Sequence, residues 1–166
     1  LDDKETLRRI DGLGAEIAVA GMFGFIVRRS FLQLFPAGVI NLHPGYLPFN
    51  RGVYPNVWSI VEATPCGTTL HYVDEGVDTG AIIAQHVVPV QACDTGETLY
   101  RRLERESVVL FQKAWPDISA GRAPRKAQPN DQGTSHRRRD LQSIDEIALD
   151  RSYTGRQLLD IIRART

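Results

Sequence analysis

Residues 38–52 read "GVINLHPGYLPFNRG". The first six form an apolar run of strand length that ends on Asn41 and His43, and Pro44 then turns the chain and removes a backbone donor. In open α/β sheets, ligands bind in the crevice beyond the carboxyl ends of the strands. Asn41 and His43 are two apart on an extended chain, so they share one side. A neutral imidazole accepts a proton near pH 7, and a side-chain amide donates to a developing oxyanion. Acyl transfer to a nucleophile needs both roles, plus a group that orients the ring.

Outward from this strand, helical and apolar stretches alternate. "DDKETLRRIDG" (2–12) reads as a short helix with acids at its positive end, and "AEIAVAGMF" (15–23) as a strand covered on both faces. A short helix within 28–38 is stopped by Pro36 and Gly38. Over 54–63, Pro55 opens a helix that carries Val57, Ile60 and Val61 on one face, with Trp58 in its core. Residues 67–90 hold two β-rich runs around the loop "DEGVDTG". Asp94 and Glu97 are expected to form the capping box of a long helix with an apolar stripe of Leu99, Leu103, Leu110 and Ala114, ending near Trp115 and Pro116. This alternation predicts an α/β layered domain over 1–120. Residues 121–166 are expected to be a connector and the start of a C-terminal region, with Thr154 and Gln157 capping a final helix whose Leu158, Ile161 and Ile162 share a face. The chain starts without Met inside one helical pattern and stops inside another, as a piece of something longer would.

Composition narrows the class. With 166 residues, 42% of them hydrophobic, the chain can bury a real core. Twenty basic and twenty acidic residues cancel, which argues against nucleic acid or an anionic membrane as partner. No apolar run approaches the ~20 residues of a membrane span, and no basic-then-apolar leader is present. Cys66 and Cys93 lack metal-ligand spacing and are expected to be buried reduced thiols, so no metal is expected and the setting reads as cytoplasmic.

The orienting group is sought in "DEGVDTG", where Asp74, Glu75 and Asp78 sit in a Gly-punctuated loop. A carboxylate beside an imidazole raises its pKa and fixes its ring, but the residue pattern does not choose among the three acids. On that pattern alone, a turn-capping Asn41 and a His43 bonded to backbone fit equally well.

The two spaced motifs "NLHPGYLPFNRG" and "HYVDEGVDTGAIIAQ" resemble the folate-dependent formyltransferases over roughly residues 15–115. That family's signature is Asn-x-His-Pro, then Leu-Pro and a Gly, and later an Asp-Gly or Asp-x-Gly loop. The resemblance implies a Rossmann-like sheet with helices on both faces, here apparently lacking its first strands, since relatives carry further chain ahead of Leu1. It assigns the catalytic trio to Asn41, His43 and Asp78. It implies N10-formyltetrahydrofolate as co-substrate, held by Phe25, Ile26, Val27, Asp74, Glu75 and Val77. Gly45 and Tyr46, where other branches carry "HPSLLP", look like the sugar N-formyltransferases, nearest to the dTDP-4-amino-4,6-dideoxyglucose type. That branch implies a nucleotide-linked, dTDP-type amino dideoxysugar, a place in lipopolysaccharide or O-antigen synthesis, and a homodimer. Tyr46, Asn50, Arg51, Tyr54 and Asn56 are the expected sugar-nucleotide contacts. A methionyl-tRNA formyltransferase and a truncated, non-catalytic remnant are the alternatives. His71 and His86 read as core or surface histidines, and His136 with Arg137, Arg138 and Arg139 as a solvated basic run.

Overall fold

The structure, a computed structural model, describes residues 3–21, 23–129 and 131–166. Asp2, Met22 and Asn130, which fall in the expected first helix, first strand and connector, lie outside them. Helix α1 (Lys4–Asp11) is capped by the Asp3 carboxylate, which accepts from the amides of Glu5 and Thr6. Strand β1 (Ile17–Gly21) follows, then α2 (Arg29–Leu32) and β2 (Gly38–His43). A two-residue strand β3 (Arg51–Gly52) leads into α3 (Pro55–Val61), and β4 (Gly67–Tyr72) and β5 (Ile82–Val87) complete the main sheet. The long α4 (Gly96–Ser119) is followed by β6 (Ser135–His136), a 3-10 turn at Arg138–Leu141, α5 (Gln142–Asp145) and α6 (Gly155–Ala164).

The main sheet has the order β1-β2-β4-β5, with β1 parallel to β2 and the other pairs antiparallel. Ile40, Leu42, Leu70, Tyr72 and Ile83 pack one layer against Ile118 and the Leu110–Ala114 part of α4. A second core fills the space between α3, α4 and α6 with Val57, Trp58, Ile60, Leu99, Leu103 and Ala164. Trp58 is core, as expected, and its indole stacks on His136 with ring centroids 4.0 Å apart.

Several expectations need correction. Strand β1 is not covered on both faces: it stands at the sheet edge, none of its residues is buried, and Val19 is 45% exposed. The capping box of α4 is Thr95 with Thr98, each side chain bonded to the other's amide. Asp94 sits one residue too early, and its carboxylate instead accepts from the Gln91 amide at 2.6 Å and the Arg102 guanidinium at 2.9 Å. Helix α4 runs through Pro116 to Ser119, because Ile118, buried in the core under the sheet, holds the last turn despite the bond that proline removes. On α6 the inward residues are Asp160 and Ala164, while Ile162 is 51% exposed. Arg163, paired to Asp160, donates to the carbonyls of Gln91, Ala92 and Asp94, which fixes the helix's rotation. Cys66 is buried but Cys93 is exposed, and both are free. The polar stretch after α4 packs back onto the domain: Lys126 bridges Ile82, and β6 pairs parallel with β3.

Candidate active site

Strand β2 delivers Asn41 and His43, and the register places Asn41 opposite His71 on β4 and His43 opposite Thr69. Directly opposed residues on one face of an antiparallel pair lie within side-chain reach. Here the Asn41 amide nitrogen is 3.3 Å from His71 Nε2. His71 Nδ1 lies 2.7 Å from the Tyr72 carbonyl, which can only accept, so the ring carries its proton there and Nε2 accepts from Asn41. One amide hydrogen of Asn41 is thereby left over, and its buried Oδ1 has no partner.

The loop between β4 and β5 returns Asp78 beneath this pair. Its backbone is left-handed, with φ +53°, a region that Asp tolerates better than most residues. Its carboxylate accepts from the Gly52 amide at 2.8 Å and faces His43 Nδ1 at 3.6 Å and His71 Nε2 at 3.5 Å. His43 Nε2 lies 3.1 Å from the Asn50 carbonyl and so donates to it, which leaves Nδ1 as the basic nitrogen, turned toward Asp78. Burial lowers the His43 pKa and outweighs the opposing pull of Asp78, so the ring is neutral at pH 7. Burial pushes Asp78 upward, but the neighbouring His71 and His43, which act on it in their protonated forms, and the Gly52 amide outweigh it and hold the carboxyl at about 2. The cluster joins an ionised carboxylate, a neutral base and an amide donor.

Two cavities meet at this cluster. One, of about 590 Å³, is bounded by His43, Pro44, Tyr54, Asn56, Tyr100, Arg138 and Arg165. The other, of about 470 Å³, is bounded by Phe25, Ile26, Val27, Val73, Asp74 and Val77. Asn41 and Asp78 line both, with Phe23, Gly24, Gly52, Val53 and Arg138.

The other expected site residues divide by position. Phe25, Ile26, Val27, Asp74 and Val77 line the smaller cavity, whereas Glu75 lines neither and pairs with Arg29 at the surface. Tyr54 and Asn56 line the larger one, although the Asn56 amide is already bonded to the Gly96 carbonyl. Asn50, Arg51 and Tyr46, also expected as substrate contacts, line neither cavity. Asn50 is 0% exposed, and its side chain is consumed by Ser59, Thr64 and Thr134. The Arg51 guanidinium is bound to Gln128. Tyr46 packs beside Gly67, where a Cβ would meet its ring at 2.9 Å. Sequence reasoning missed His71, whose signal is the cross-strand register, and Arg138, an exposed cation that the fold sets at the junction of the cavities.

The family described as formyl transferase matches residues 1–114. A dTDP-4-amino-4,6-dideoxyglucose formyltransferase of Mycobacterium bovis is 34% identical over 143 residues, covering 81% of this chain and 59% of that protein. A methionyl-tRNA formyltransferase of Syntrophus aciditrophicus is 33% identical over 129 residues, 77% of this chain and 41% of that protein. The chain thus spans about half the length of the curated relatives it matches. A formyltransferase of Anoxybacillus kamchatkensis, solved with UDP-4,6-dideoxy-4-formamido-L-AltNAc and tetrahydrofolate, superposes with a TM-score of 0.76 at 32% identity, covering 90% of this chain and 77% of that one. The match over residues 1–114 and the shared fold together establish that the chain belongs to the formyl transferase family.

Proposed function

We propose that the chain carries the reacting centre of an enzyme that moves a formyl group from N10-formyltetrahydrofolate to the amino group of a nucleotide-linked amino dideoxysugar, with dTDP as the nucleotide. The observation that carries this reading is the pair of cavities meeting at Asn41 and Asp78: a donor and an acceptor can each occupy one and touch at the trio. The smaller cavity suits a pterin. Its walls are apolar, from Phe25, Ile26, Val27, Val73 and Val77, as a flat heteroaromatic ring requires. The larger one takes the sugar nucleotide, with Tyr54 and Tyr100 as flat surfaces and Arg138 as the cation for a phosphate.

In this reading the free amide hydrogen of Asn41 donates to the formyl oxygen as it gains charge, and its unpartnered Oδ1 accepts from the attacking amine. One N–H proton leaves the amine and one arrives on the departing folate nitrogen, and His43 Nδ1 carries it between them. Asp78 stabilises the ring while it is charged, 3.6 Å away. The Asn50 carbonyl fixes which nitrogen is basic.

A methionyl-tRNA acceptor is the second reading, favoured by the Syntrophus relative, and the balanced charge of the chain stands against it. The test is turnover with N10-formyltetrahydrofolate and a panel of dTDP- and UDP-linked amino sugars, following tetrahydrofolate release. Release with a dTDP-amino sugar is expected. Release only with methionyl-tRNA would move the assignment to the second reading, and release with no acceptor would favour the remnant.

A further inference from the structure

Gln128 lies in the polar stretch between α4 and β6 and is 8% exposed. Its amide makes four bonds at once. The nitrogen donates to the carbonyls of Asp78 and Gly80, both at 2.8 Å. The oxygen accepts from Arg51 Nε at 3.1 Å and from its terminal nitrogen at 2.7 Å. Carbonyls only accept and a guanidinium only donates, so turning the amide over would lose all four. The environment dictates one orientation, and only a primary amide of this length meets it.

What this amide joins is specific. Asp78 holds a left-handed backbone, and Gly80 is pressed so close to β4 that a Cβ would lie 1.8 Å from the Tyr72 carbonyl. On the other side, Arg51 precedes Gly52, whose amide donates to the Asp78 carboxylate. The contacts close into a ring: Asp78 carbonyl, Gln128, Arg51, the Gly52 amide, and back to the carboxylate of Asp78. The strap formed where β3 pairs with β6 is held separately, by Arg51 and Val53 amides donating to the carbonyls of Thr134 and His136.

We infer that Gln128 is a positioning residue for Asp78, holding its backbone and the Gly52 amide in one buried frame so that the carboxylate stays against His43. The catalytic weight of this inference rests on the function proposed above, but the geometric claim is independent of it. The test compares amide hydrogen exchange at Gly52, which reports the carboxylate, with Val53, which reports the strap, in the full chain and in Gln128→Glu. Glutamate keeps the size and can still pair with Arg51, but it cannot donate to the two carbonyls. Gly52 exchange is expected to rise about tenfold relative to Val53, the size of one lost hydrogen bond. In turnover, kcat should fall about tenfold while KM for both substrates stays within about twofold, the mark of an interaction made in the transition state. Should Gln128→Glu fail to fold, Arg51→Leu frees the same amide from its far side, and the same Gly52-over-Val53 difference is expected. Equal change at Gly52 and Val53, or none at either, would overturn the inference, as would a raised KM with unchanged kcat. If the wild-type chain formylates no acceptor, the proposed function fails, and the exchange comparison still decides the role of Gln128.

Discussion

Asp78 and His43 illustrate how burial and contacts compete at single residues. Burial alone would raise the carboxyl, yet the two facing histidines and the Gly52 amide hold it at about 2. For His43 burial prevails and the ring's pKa drops below its usual 6.5. A base must be neutral to take a proton, so kcat should decline as pH falls, with the midpoint below 6.5. A decline centred at or above 6.5 would contradict this. Asp78→Asn removes the charge that raises His43, so on residual turnover the decline should move lower still. Stability follows the same signs: the Asp78 contribution is present above the ordinary carboxylate value of 3.8 and is lost as pH falls toward about 2. Urea titrations across that range should show a steeper loss for the wild type than for Asp78→Asn. Asn41→Ala removes the amide donor and should cost on the order of 100- to 1000-fold in kcat. Strand alternation put Asn41 and His43 on one side, but their expected roles rested on the family resemblance. Asp78 was not separable from Asp74 and Glu75 by residue type. What distinguishes it is a left-handed backbone and a bond from an amide at Gly52, which residue type does not encode.

Among the elements, α4 carries the most. Leu99 and Leu103 are 0% exposed and bind this helix to α3 and α6, whereas Val108 faces outward. Leu103→Ala should cost about 2–5 kcal/mol in denaturant unfolding, and Val108→Ala within about 0.5 kcal/mol. Gly96, at the start of α4, lies so close to the end of α6 that a Cβ would meet the Ala164 carbonyl at 2.2 Å. Gly96→Ala should therefore lower Tm and loosen the wall of the larger cavity that both residues line. Strand and helix positions were legible from periodicity, but the capping residue of α4 was not. Asp94 and Thr95 are both good caps, and the Arg102 side chain, one face of a helix away, claimed the aspartate. The rotation of α6 was likewise set from outside, by Arg163 reaching carbonyls before α4. Gln128 and Thr134 sit in a stretch without apolar periodicity, so their bonds to the 50–53 and 78–80 loops follow only from the tertiary path.

At the scale of the molecule, the sheet brings together residues from β2, β4 and the loop beyond it, and the stretch after α4 is tied back to the domain at Ile82 through Lys126 and at β3 through β6. No helix among the described residues is long and apolar enough to cross a membrane. Formal charge is zero, so binding of a sugar nucleotide should weaken only modestly with salt, whereas a tRNA acceptor would show a steep log–log loss. The central claim is that Asn41, His43 and Asp78 pass a formyl group from the folate cavity to an amine in the larger cavity. It is tested most directly by supplying N10-formyltetrahydrofolate labelled in its formyl carbon, together with a dTDP-amino sugar, to the wild type and to His43→Ala. The label is expected on the sugar nitrogen with the wild type and absent with the variant. Label transferred equally by both proteins would contradict the account.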